Sequence, residues 1–187
     1  MSVFIALLHY PVYNKSGEVV TTSVVGSDLH DIARTALTYG VSGYYIVNPV
    51  EAQRVFAERI IACWRKGESF DFNPTRAEAF EIVKMVPALS DVVSDIEKRT
   101  GRRPKTVATS AKAASGIGFK ELAREIAGSK DPYLILFGTG WGMRKDVIEG
   151  ADFTLKAVIG SGEYNHLSVR GAVAVILDRL FGKKEEE

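Results

Sequence analysis

A chain of 187 residues has the size of one ordinary domain and can bury roughly 70% of its unfolded surface without staples. With 24 Lys+Arg against 23 Asp+Glu its formal charge is +1, which excludes a global field that advertises nucleic acid but leaves a local basic patch open. The single cysteine, Cys63, excludes an intrachain disulfide, suits a reducing cytoplasmic setting, and in its helical pattern is expected to be buried core.

The N-terminal apolar run is too short to span a membrane and lacks a basic leader and cleavage site, so it reads as a first strand, 3–8. Asp28 is positioned to cap a helix through Tyr39 that Gly40 stops, and a strand at 44–47 follows. Asn48 with Pro49 opens a helix through Trp64, and Asn73 with Pro74 opens a shorter one before a strand at 82–86. Ser90 precedes a helix that ends at "TGRRP". Strands at 106–109, 133–137 and 153–158 then alternate with helices at about 119–127, briefly after Trp141, and at about 166–181. The pattern is α/β, a mostly parallel doubly wound sheet in one domain over 1–182, with a charged tail at 183–187 expected to fray.

Ligands of open α/β sheets bind beyond the carboxyl ends of the strands, which directs attention to three loops. "ATSAKAASGIG", from Ala108 to Gly118, keeps bulk out and lets another molecule approach the backbone. "FGTGWGM" frames Thr139 and Trp141 with Gly138, Gly140 and Gly142 and is expected to expose backbone amides, as a ligand loop or as a plain turn. It lacks both phosphate-binding signatures, G-x-G-x-x-G at the first strand and a Lys-Ser/Thr pair. "IGSGEYNHLSV" crowds polar groups before an apolar helix, where Asn165 or Ser168 can cap the helix and Tyr164 can pack. That helix carries more apolar surface than one face needs, so part of it meets another subunit or is buried on two sides.

His166 and Glu163, near the third loop, and His9, at the end of the first strand, are the candidate proton acceptors. Arg34 can hold a phosphate or reacting group bidentately, or make a surface ion pair. Arg99, Arg102, Arg103 and Lys105 form a local basic cluster that contacts RNA or is a solvated turn.

Three segments resemble the SPOUT superfamily of knotted α/β methyltransferases. "DLHDIARTALTYGVSGYYIV" is similar to the first motif of its tRNA ribose methyltransferase branch, with Arg34, Thr35, Ala36 and Gly40 in place but Asp28 where an asparagine is usual. "LILFGTGWGM" is similar to the second motif, without its common glutamate, and "YNHLSVRGAVAVILDRL" to the third. "TVATSAK" and "GTGWG" look most like a small stand-alone bacterial group on the tRNA guanine-N1 methyltransferase side. The resemblance implies a C-terminal deep trefoil knot, a homodimer, an RNA substrate and S-adenosyl-L-methionine as cofactor. It further implies a pocket walled by Thr109, Ser110 and Ala111, by Gly138, Thr139, Gly140, Trp141 and Gly142, and by Ile159, Gly160, Asn165, Leu167 and Ser168, with Trp141 covering the adenosyl group or filling core. It favours a functional role for Arg34. Methyl transfer from a sulfonium needs no metal; it needs in-line placement and removal of a proton from a weak nucleophile. The missing motif residues also admit a non-catalytic adenosyl-binding or RNA-binding module that works beside a partner enzyme.

Overall fold

The computed structural model describes residues 2–66 and 72–183. Six strands form one parallel sheet: β1 (Val3–Leu8), β4 (Gly43–Val47), β5 (Val83–Val86), β6 (Lys105–Thr109), β7 (Tyr133–Gly138) and β8 (Phe153–Leu155). Their order is β5-β4-β1-β7-β6-β8. All six residues of β1 and all five of β4 are buried, as a strand covered on both faces requires. Two apolar clusters line the two faces. One joins Ile5, Leu7 and Ile135 to Leu29, Ile61, Leu122 and Leu177 from α1 (Gly26–Thr38), α2 (Glu51–Arg65), α5 (Phe119–Gly128) and α7 (Val169–Phe181). The other joins Phe4, Tyr45 and Leu136 to Val92 and Ile96 of α4 (Leu89–Thr100), with α6 (Lys145–Glu149) nearby. Each fully buried Leu, Ile or Phe contributes about 1.5–3 kcal/mol.

The six expected strands all form; β5 starts one residue late, at Val83, and β8 is cut to half its expected length. β8 stops at Leu155 because the next residues pair with a loop instead: Lys156 N–H donates to Ile117 O (3.0 Å) and Ala157 N–H to Ala113 O (3.1 Å). Asn73 caps α3 (Pro74–Glu81) as expected, its side chain accepting from the Arg76 amide at 3.0 Å. The α1 cap differs. Val25 occupies the cap position with no side-chain bond, and Asp28 lies inside the first turn, buried, with Arg170 Nη1 3.5 Å away. α7 starts at Val169 because Ser168 caps it, accepting from the Gly171 amide at 3.2 Å.

Two features depart further. Cys63 is exposed, since α2 turns Ala57 and Ile61 inward and position 63 lies off that stripe. A hairpin of two-residue strands, β2 (Val12–Tyr13) and β3 (Val19–Val20), fills the stretch before α1; segments that short leave no periodic signal. No helix among the described residues is long and apolar enough to cross a membrane. Positions 184–187 of the charged tail lie outside the described residues.

The sheet order places β1 beside β7, with the chain running outward to β4 and β5 on one side and to β6 and β8 on the other. A crevice at the carboxyl ends is the expected consequence of such a reversal.

Candidate active site

A cavity of about 760 Å³ opens at that crevice, within the usual size range for small-molecule sites. Its first wall is Thr109 to Lys112 after β6, its second Gly138 to Met143 after β7, and its third Asn165 to Val169 entering α7. The fourth wall is His9, at the end of β1, with Thr22, Ser23, Val25 and Asp28 from the segment entering α1. Thr22 is fixed by its own amide donating to His9 O (2.9 Å) and by Asn48 Nδ2 donating to Thr22 O (3.2 Å).

The side chains at the floor form a chain of hydrogen bonds with one consistent direction. Thr139 Oγ1 donates to Leu8 O at 3.0 Å, so it has no proton left and must accept from Thr22 Oγ1 at 2.5 Å. Thr22 Oγ1 therefore accepts from His9 Nδ1–H at 2.8 Å. Burial pushes the His9 ring down to about 4, so it is neutral near pH 7 with its single proton on Nδ1. Its Nε2 carries a bare lone pair, is buried, and has no hydrogen-bond partner among the described residues. A buried polar atom left unpaired costs about 1–3 kcal/mol.

Asp28 is the buried carboxylate on the cavity wall. Desolvation raises its pKa, and Arg170 opposes that shift. Arg170 also lies 3.7 Å from Asp31 and donates to Ser27 Oγ, tying α7 to the start of α1.

The glycine-rich loop is held differently from the sequence expectation. The amides of Thr139, Trp141 and Gly142 donate to Leu8 O, Tyr13 O and Thr139 O, so they are not exposed for a ligand. The β2–β3 hairpin explains this, because Tyr13 docks on the loop and exchanges bonds with Trp141 and Gly142 at 2.8 and 2.9 Å. Gly140 is required there: its φ is +58°, and a Cβ would meet Tyr13 O at 2.8 Å. Thr109 also gives its hydroxyl proton to the protein, donating to Leu136 O at 2.8 Å.

Eleven of the thirteen wall residues expected from sequence border this cavity; Ile159 and Gly160 instead line a smaller neighbouring one of about 270 Å³. Asn165, His166 and Leu167 border both. Trp141 is 56% exposed and Tyr164 81% exposed, so neither fills core. His166 sits at the mouth with its ring edge-to-face against Tyr164. Arg34 is exposed on α1 and Glu163 is exposed in the loop before α7, both outside the two cavities.

The basic cluster lies at the opposite end of the sheet. Arg99 donates to Tyr45 Oη (3.1 Å) and Ser42 O (3.1 Å) and stacks on Phe4. Arg102 pairs with Asp131 and Lys105 with Glu125, at the amino ends of β6 and β7, while Arg103 is exposed. Around the cavity the exposed cations are Lys112 and Lys156, neither with an ion-pair partner among the described residues. Sequence reasoning passes over Thr22, Ser23 and Val25 because no periodic element marks the stretch between β1 and α1.

A family described as SAM-dependent RNA methyltransferase matches residues 2–182. The chain belongs to that family. Among relatives of the methyltransferase, a protein of Aquifex aeolicus is 45% identical over 183 residues, covering 97% of this chain and 89% of the relative. A tRNA (guanine-N(1)-)-methyltransferase of Oleidesulfovibrio alaskensis is 41% identical over 181 residues, covering 97% of this chain. The chain spans only 42% of that relative's length. Among solved structures, the SpoU methyltransferase AviRb of Streptomyces viridochromogenes superposes with a TM-score of 0.58 at 16% identity, covering 96% of this chain and 57% of that one. That likeness shows a shared fold, and it agrees with the SPOUT resemblance of the sequence.

Proposed function

We propose that this methyltransferase modifies transfer RNA, holding S-adenosylmethionine between the loops that follow β6, β7 and β8, on one side of the cavity at the carboxyl ends of the sheet. The observation that carries the reading is the convergence of three small-residue loops on one cavity of about 760 Å³. The residues present suit the cofactor. Ser110, Ala111 and Ala172 are small lining residues that leave room for a bulky nucleoside. Bound there, the cofactor supplies a methyl group activated by a sulfonium.

The chain's own residues do the rest. The loop walls orient the two reactants in line and exclude water, which is worth several kcal/mol when geometry is right. His166, exposed at the mouth of the cavity, would accept the proton that the acceptor atom gives up on methylation. Lys112 and Lys156 hold RNA phosphates at the mouth, and the exposed guanidinium of Arg34 is available for a further one.

A homodimer and a trefoil knot complete the proposal. Trp141, Ile159, Tyr164 and Leu167 are all half-exposed or more, and a second copy packing beside the cavity would cover them. The bonds of Lys156 and Ala157 to the loop before α5 support threading of the chain past that loop. The tRNA substrate rests on the Oleidesulfovibrio relative, a protein more than twice as long.

The test is transfer of tritiated methyl from S-adenosylmethionine to bulk bacterial tRNA and, separately, rRNA, followed by digestion to nucleosides. Label in one tRNA nucleoside supports the proposal; label only in rRNA, or none, contradicts it.

A further inference from the structure

The floor of the cavity carries a group that the transfer chemistry above leaves unused. His9 is 1% exposed, borders the cavity, and is held by Thr22 and Thr139 in the Nδ1–H form. Its Nε2 finds no partner among the described residues. Three hydrogen-bonded groups thus fix the orientation of one unpaired acceptor, an arrangement that favours a ligand completing the set.

The place of His9 indicates which ligand. The loops proposed to hold the cofactor follow β6, β7 and β8, whereas His9 follows β1, on the far side of β7. The fourth wall, with Thr22, Ser23 and Val25, is left for the second reactant. We infer that His9 is a specificity-determining residue whose Nε2 accepts a hydrogen bond from an N–H or O–H of the nucleotide to be methylated. This rests on the reading that RNA enters the cavity.

The tautomer gives the inference its selectivity. Thr22 and Thr139 leave Nε2 able only to accept, so a carbonyl or bare ring nitrogen presented there meets lone pair against lone pair. A donor at the same position completes the chain to Leu8 O. Sites built around one such buried group reject analogues lacking the complement far more strongly than apolar pockets reject a methylene. A protonated His9 would invert the preference, and burial of the ring opposes protonation.

The same donor chemistry exists on the cofactor's amino groups, and two measurements separate the sources. In the first, histidine side-chain ¹⁵N resonances of the full chain are followed while S-adenosylhomocysteine and then bulk tRNA are added, with His9 assigned through H9Q. The inference expects the His9 Nε2 resonance to stay in place at the first addition and move at the second. Movement at the first addition, or none while anisotropy shows tRNA bound, overturns it. Absence of any tRNA binding overturns the RNA reading itself, and the inference falls with it.

In the second, H9F and H9Q are compared with wild type after melting curves confirm folding. His9→Phe should lower kcat/KM for tRNA about tenfold or more and change the Kd for S-adenosylmethionine by less than about twofold. His9→Gln, which keeps an acceptor, should recover part of the loss. Equal losses in transfer and cofactor affinity, or unchanged transfer in H9F, would overturn the assignment.

Discussion

Thr22 and Thr139 lie 117 positions apart in the chain and meet hydroxyl to hydroxyl at 2.5 Å. The contact closes the seam between the segment entering α1 and the loop after β7, and it sets the proton direction for the whole cavity floor. Removing it by Thr22→Val leaves the His9 Nδ1–H buried without an acceptor, at a cost of about 1–3 kcal/mol. Urea unfolding should show that loss in Thr22→Val. A variant as stable as wild type would mean that His9 finds another partner.

Stability should also depend on His9 through pH. The unfolded chain takes up a proton at this ring near 6.5, whereas the native protein does so only at about 4. The unfolded state therefore binds more protons in that window, and native stability falls as pH drops from 6.5 toward 4, by up to roughly 3 kcal/mol. Above 6.5 the contribution is fully present. His9→Phe removes this term, so the stability difference between wild type and variant should narrow on acidification, measured by denaturation at pH 7 and pH 4.5. A constant difference would contradict the low pKa.

Two glycines should respond oppositely to alanine. Gly140→Ala forces a Cβ onto Tyr13 O in a left-handed backbone conformation and should cost about 1–2 kcal/mol or more, with loosening of the hairpin from the loop. Gly160→Ala meets no atom within 4 Å and should change stability by under about 0.5 kcal/mol. Melting temperatures of the two variants decide the matter.

The architecture was legible because the central strands are compact apolar runs. β1 and β7 are buried almost end to end, and a helix with a recognisable cap or glycine stop separates most neighbours. The three loops were legible for a related reason, since Gly138, Gly140 and Ser168 stand out against their surroundings. The fourth wall was not. His9 was a candidate, but Thr22 and Ser23 sit in irregular chain after a hairpin of two-residue strands, and tertiary contacts alone bring them to the site. Asp28 was misassigned as a cap because the helix begins earlier and draws it inward against Arg170. Arg99, Arg102 and Arg103 remain exposed at the amino end of the sheet, and Arg99 in addition lies over the Phe4 ring.

The charge assignment can be tested through salt. Each cation that neutralises an RNA phosphate contributes about 0.7–0.9 to the slope of log affinity against log salt. Lys112→Ala and Lys156→Ala should each flatten that slope by about this amount. Arg99→Ala should leave the slope unchanged and lower stability by about 1–3 kcal/mol through its lost hydrogen bonds and stacking. A slope that flattens only in Arg99, Arg102 or Arg103 variants would move the RNA to the opposite end of the sheet.

The most direct test of the central claim is isothermal titration of S-adenosylmethionine into wild type and Ala172→Phe. Ala172 borders the cavity from the first turn of α7, so the larger ring fills cavity space without demanding an unusual backbone. Binding by the wild type that Ala172→Phe abolishes, with the melting temperature of the apo protein kept, is the predicted result. Equal binding by both proteins would contradict the placement of the cofactor between these loops.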